Sequence, residues 1–298
     1  ARHIADMARR PDLASILSGA APSSSLANVK HADKEEMLAV DIHVASAEGD
    51  VEAVRKYIEV GGNVSTCNDN DTERAERTQN EDTDVHGGLP LHAAARSCNA
   101  HAAEVVQLLL DAYPWGSSAE YFNGRNKIKG DQWSGWLPLH CCAAFNTGPA
   151  GEAVVQLLLE VHRKGASVEI TCGSYAGAYP LLLAARNPGP CALNMVKRIM
   201  ATYTKQALLA LNGRELIEAS IRNQGPDSPA IFQLFASQFP GSLSRSLLPL
   251  SVAHPSPDMV LLVQKAVAAL PPSARKETPQ RDRRTSDLSE GSCEDRWE

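Results

Sequence analysis

No apolar run in this chain approaches the roughly 20 residues that a membrane-spanning helix requires, so the sequence reads as that of a soluble protein. It has no Cys-x-x-Cys pair; its seven cysteines stand scattered at 67, 98, 141, 142, 172, 191 and 293. An odd, scattered set excludes a disulfide framework and points to an intracellular chain with free buried thiols. Also missing are the glycine-rich phosphate loops and the Gly-x-Ser-x-Gly elbow. No nucleophile, base and orienting group are suggested together, so no catalytic residue, cofactor or metal site is expected. The formal charge of −6 lacks the basic balance that nucleic-acid binding calls for.

What the chain has instead is repetition. Leu89-Pro90-Leu91-His92-Ala93-Ala94 returns as Leu137-Pro138-Leu139-His140-Cys141-Cys142, as Tyr179-Pro180-Leu181-Leu182-Leu183-Ala184 and as Leu248-Pro249-Leu250-Ser251-Val252-Ala253. Val105-Val106-Gln107-Leu108-Leu109-Leu110 reappears letter for letter at Val154-Val155-Gln156-Leu157-Leu158-Leu159. Weaker echoes stand at Met195-Val196-Lys197-Arg198-Ile199-Met200 and Ile231-Phe232-Gln233-Leu234-Phe235-Ala236. Self-similarity on this scale means stacked units, none of which buries its apolar face alone.

Each unit reads as a hairpin of two helices. Pro90 suits the first position of a helix, where its missing amide costs nothing, and 91–96 is a short alanine-rich run. After the polar break Ser97-Cys98-Asn99, residues Ala102–Ala112 form a longer helix, apolar over an arc wide enough for neighbours on two sides. The small residues Ala93, Ala94 and Ala95 let successive hairpins approach closely.

The Pro-Leu-His phrases resemble the opening of the ankyrin repeat. A degenerate first copy runs from Asp41-Ile42-His43-Val44-Ala45 into Glu48-Gly49-Asp50-Val51. The resemblance implies an all-α, ankyrin-like helical solenoid with long inter-repeat insertions, about six units over 38–270. It also implies that His43, His92 and His140 bond backbone and tie neighbouring units, rather than bind metal or catalyse. The departure from the pattern is at the Thr position, filled by Leu89, Leu137, Tyr179 and Leu248. These cannot cap the helix as Thr does, a loss of about 1 kcal/mol each.

Anchors at Ile42, Leu91, Leu139, Leu181, Ile217 and Leu250 are 49, 48, 42, 36 and 33 residues apart. A unit needs about 33, so the first three carry insertions. The stacked faces of a solenoid cannot accept extra residues, which must therefore leave along one edge. The first insertion is acidic, with seven acids against two arginines in 66–86. The second, 113–136, holds six of the fifteen Phe, Tyr and Trp residues, with Arg125, Lys127 and Lys129 among them. Aromatic and basic residues together are the composition of interface hot spots, which makes Trp115, Tyr121, Phe122, Trp133, Arg125 and Lys127 candidate partner-binding residues. The competing reading of these rings is local packing against the units. Arg96, Arg186 and Arg222 end the first helix of three units, where a cation suits the helix dipole. The resemblance places that end near the concave binding surface, so this row is a second candidate, suited to an acidic partner.

At the ends, 1–37 reads as a partly flexible segment in which Asp6 and Asp12 argue against a transit peptide. Residues 271–298 are too poor in aliphatic side chains to fold, and read as a disordered tail. Within it, Arg283-Arg284-Thr285-Ser286 fits a basic-directed kinase site. The expected function is that of a non-catalytic scaffold or adaptor, a monomeric solenoid binding protein partners in the cytoplasm or nucleus. The alternatives are a structural or regulatory segment of a larger protein and a cryptic enzyme.

Overall fold

The structure is a computed structural model in which residues 40–66, 88–120, 135–171 and 173–270 are described. The described residues form thirteen α-helices and no strand, so the fold class is all-α. In chain order the helices are α1 (Ile42–Glu48), α2 (Val51–Glu59), α3 (Pro90–Arg96), α4 (Ala102–Ala112), α5 (Pro138–Phe145), α6 (Gly151–Val161) and α7 (Pro180–Arg186). They continue with α8 (Ala192–Met200), α9 (Lys205–Ala210), α10 (Gly213–Arg222), α11 (Ser228–Gln238), α12 (Leu247–Val252) and α13 (Pro257–Ala268).

Local chemistry explains the boundaries. Asp41 starts α1 by accepting the amides of His43 and Val44 at 3.0 and 3.3 Å. Gly49, at φ +74°, ends it, and Asp50 caps α2 through the amide of Ala53. Proline holds the first position of α3, α5 and α7. The N-cap leucines have no acceptor to offer, but histidine supplies part of the cap from the other side. The Nδ1 atoms of His92 and His140 accept the backbone N–H of Leu89 and Leu137 at 3.1 and 3.0 Å. The expected capping loss is thus partial, since only the amides one turn in lack a side-chain partner.

Two rows of helices organise the packing. In the first, α1, α3, α5, α7, α10 and α12 each pack against the next; in the second, α2, α4, α6, α8, α11 and α13 do the same. Each first-row helix also packs on the second-row helix that follows it, giving six hairpins among the described residues. The core lies between the rows, on Val105, Leu109, Val154, Leu158, Met195 and Ile199, all nearly or fully buried. Leu109→Ala is expected to cost about 2–5 kcal/mol, as truncations of packed leucines do, because its side chain is only 2 % exposed. Urea unfolding checks this; a loss below half a kcal/mol would mean that α4 is not packed from both sides.

Two features depart from the sequence reading. The first helix of the fifth hairpin, α10, has ten residues and is nearly as long as its partner. An additional helix, α9, lies between the fourth and fifth hairpins.

One device was not anticipated at all. At the end of each of three first-row helices a buried asparagine reaches back to the preceding unit. The amide of Asn146 donates to Ala95 O at 3.1 Å, that of Asn187 to Ala143 O and Asn146 O, and that of Asn223 to Ala185 O and Asn187 O. Each Oδ1 accepts the N–H of the glycine two residues on: Gly148, Gly189 and Gly225. His254 continues the ladder, its Nε2 bonding Asn223 O at 2.8 Å. Each amide nitrogen and each Oδ1 of the three asparagines has a protein partner, so no side-chain polar atom of the ladder is left unpaired in the core.

Candidate functional site

The long loops leave and return beside three imidazoles. His43 Nε2 lies 3.1 Å from both Thr66 O and Gly88 O, the two carbonyls that flank 67–87. His92 Nε2 bonds Trp136 O at 3.1 Å, and the carbonyl of Ala119 also acts on its ring, so carbonyls from both sides of 121–134 meet one side chain. His140 Nε2 bonds Val168 O at 3.0 Å, and Ile170 bonds Ala178 and Gly177 through backbone to close the third, shorter loop. The helices that carry these imidazoles, α1, α3 and α5, pack in that order.

The chemistry of these imidazoles is fixed by their partners. Nδ1 of His92 and of His140 accepts an amide proton, so Nε2 must carry the hydrogen that it gives to a carbonyl. Both rings are neutral, and burial pulls each pKa down to about 4, against weaker opposing bonds to carbonyls. With both nitrogens engaged, neither ring has a lone pair for metal or proton transfer. Burial also pushes the Cys141 thiol up to about 12 and the Cys142 thiol higher still, so neither forms a thiolate near neutrality. No group of three or more His, Cys, Asp or Glu suited to a metal occurs among the described residues.

The aromatic candidates divide. Trp115, in the 3-10 turn Pro114–Ser118 after α4, is 64 % exposed and presents its ring to solvent. Tyr121, Phe122, Arg125, Lys127 and Trp133 lie outside the described residues. Trp136, counted in sequence with the same aromatic group, is fully buried. It stacks on Phe145 at 5.6 Å and meets Tyr175 and His140 edge-on at 5.2 and 6.1 Å. At that position packing is the right account.

The arginines also differ among themselves. Arg96, Arg186 and Arg222 are the last residues of α3, α7 and α10. Since α7 and α10 pack together and α5 separates α3 from α7, the row has steps of one and two helix spacings of about 8–10 Å. Arg186 and Arg222 are exposed, and Arg96 is half-buried. Arg222 stands 3.6 Å from Glu218, which Arg214 also holds at 2.9 Å. Arg186 makes no ion pair among the described residues, which leaves its guanidinium available to an acidic group.

One pair resembles catalytic machinery. Ser228 Oγ lies 3.2 Å from His254 Nε2 inside the core. His254 Nδ1 accepts the amide of Ser256 at 3.0 Å, so Nε2 bears the hydrogen and donates to Asn223 O. It has no lone pair for the serine proton, and the pair is structural.

Among the described residues no helix is long and apolar enough to cross a membrane. No protein-family model matches the chain, and a search of curated proteins finds no match.

Proposed function

We propose that the chain is an ankyrin-like solenoid of about six units and acts as a non-catalytic scaffold for protein partners, in an intracellular setting. The observation that carries this reading is the ordered packing of two helix rows, with a first-row imidazole bonded to carbonyls that flank each long loop. Such a stack has an extended surface on which side chains repeat at unit spacing, the geometry by which repeat proteins bind other proteins. Two parts of that surface are candidates for recognition: the arginine row at Arg96, Arg186 and Arg222, and the edge that carries Trp115 and the 121–134 insertion. An acidic protein surface fits the first; an apolar anchor fits the second. Neither needs a cofactor, and a monomer suffices.

The test uses whichever protein the intact chain captures and follows both affinity and thermal stability. Phe122→Ala, Trp133→Ala and the pair Arg186→Glu with Arg222→Glu are the variants. The reading predicts a loss of 2 kcal/mol or more in binding for at least one of them, the scale of a hot spot, at unchanged melting temperature. Normal binding by all of them, with lower melting temperatures for the aromatic variants, would assign the insertion to packing and contradict the scaffold surfaces named here.

A further inference from the structure

The histidine that pins each long loop is present in only half of the units. The position held by His43, His92 and His140 in the first three hairpins is filled by Leu182, Glu218 and Ser251 in the last three, by the register of the repeated phrase. The consequences of acid differ accordingly. At His92 and His140 a second proton has nowhere to go except Nδ1, where it would face the N–H of Leu89 or Leu137, a donor against a donor at 3.1 and 3.0 Å. Leu182 cannot titrate. Ser251 gives its hydroxyl to Leu248 O at 2.8 Å, and Glu218 is half-buried between Arg214 and Arg222. His254, between α12 and α13, is bonded as His92 and His140 are, so the fourth hairpin is the one that lacks such a ring.

We propose that the chain carries a built-in acid-release device: protonation of the loop-pinning imidazoles loosens the first three hairpins and frees the stems of their loops, while the fourth hairpin, which has Leu182 at that position, keeps its structure. The neighbours of the rings favour this outcome. His43 on α1 and His140 on α5 act on His92 from either side, and each positive charge opposes the next. From the loops and the 3-10 turn the rings receive backbone carbonyls, and His140 also meets the edge of Trp136. Among the described residues, the carboxylate paired with one of these rings is Asp41, 3.8 Å from His43 Nδ1; its Oδ1 already accepts two amides of α1. His43 is therefore the member best able to hold a proton in place, and His92 and His140 are the ones that release. In stacked repeats each unit contacts only its neighbours, so the first three hairpins can open without the fourth.

The inference rests on the stacked-unit reading, and hydrogen exchange on the full chain separates the two. Protection factors, which correct for the intrinsic effect of pH, are measured at pH 7 and pH 5. The device predicts at least a tenfold fall for peptides from α3 through α6 and less than threefold for α7 and α8. An equal fall in both sets would overturn the device while leaving stacked units intact; no fall in α3 through α6 would overturn it as well. Leu182→His supplies a second reading by moving the trigger into the fourth hairpin. If that variant folds, α7 and α8 should acquire the pH dependence of α5 and α6. A folded variant without it would show that the histidine position is not what responds.

Discussion

Asn187→Ala is expected to lower stability by roughly 3–5 kcal/mol, a large part of what a domain has to lose. The side chain is 1 % exposed, and its amide holds three backbone groups: Ala143 O at 3.0 Å, Asn146 O at 3.1 Å and Gly189 N–H at 2.8 Å. Alanine leaves all three in the core, and each stranded group costs about 1–3 kcal/mol. Asn187→Asp should do no better, since it keeps the acceptor for Gly189 but sets a carboxylate against two carbonyls. Urea denaturation at neutral pH measures both, and a loss under 1 kcal/mol for the alanine variant would mean that the ladder closes around the gap.

The second large effect is acid lability. His92 and His140 have folded-state pKa values near 4 against an ordinary value of 6.5. Between these values the unfolded chain binds more protons than the folded one, so stability falls as pH falls. The contribution is complete above pH 6.5, declines through the interval, and is gone near pH 4. Each histidine accounts for about 2 kcal/mol between pH 7 and pH 5 and about 3 kcal/mol in all. The two together give about 4 kcal/mol lost by pH 5. Urea midpoints at half-unit pH steps should trace that decline, and His140→Leu, which installs the residue found at Leu182, should halve its slope. A flat profile from pH 7 to 5 would mean that the rings are protonated in the folded state, contrary to their bonding.

The helices were legible because their signals are local. Pro90 at the start of α3, the break at Ser97-Cys98-Asn99 and the apolar arc of α4 can all be read within one turn or two, and the structure places both helices there. The role of His43, His92 and His140 followed from position, since a residue at one place in three units serves the unit. The asparagine ladder escaped because its upstream partners lie 36 to 51 residues away, across a loop with no apolar period. Its signal in the sequence is the repeated phrase Asn146-Thr147-Gly148-Pro149, Asn187-Pro188-Gly189-Pro190 and Asn223-Gln224-Gly225-Pro226. The glycine in that phrase is steric: a Cβ at Gly148 would lie 2.2 Å from Cys98 O, and one at Gly225 2.3 Å from Pro188 O. Helix α9 was missed because Lys205–Ala210 is too short to develop a periodic pattern, and its apolar residues are mostly exposed. The binding surface was legible only as composition. Burial separates Trp136 from Trp115, two tryptophans of one segment that the sequence alone cannot tell apart.

Everything functional in this account depends on units that stack and can be removed like beads. The repeated phrase Val-Val-Gln-Leu-Leu-Leu allows that to be tested with a seam that changes no residue. Deleting residues 111–159 joins Leu110 to Glu160 inside the identical phrase and excises one unit length of 49 residues, the distance from Val105 to Val154. The α3 helix then takes the place of α5 against α7, and Asn187 meets Ala95 O as Asn146 did. Circular dichroism with thermal melting of this shortened chain is the most direct measurement. Stacked units predict a helical protein that melts cooperatively, at a lower temperature because one interface is gone. A chain that loses its helix content or melts without a transition would contradict the stacking, and with it the scaffold.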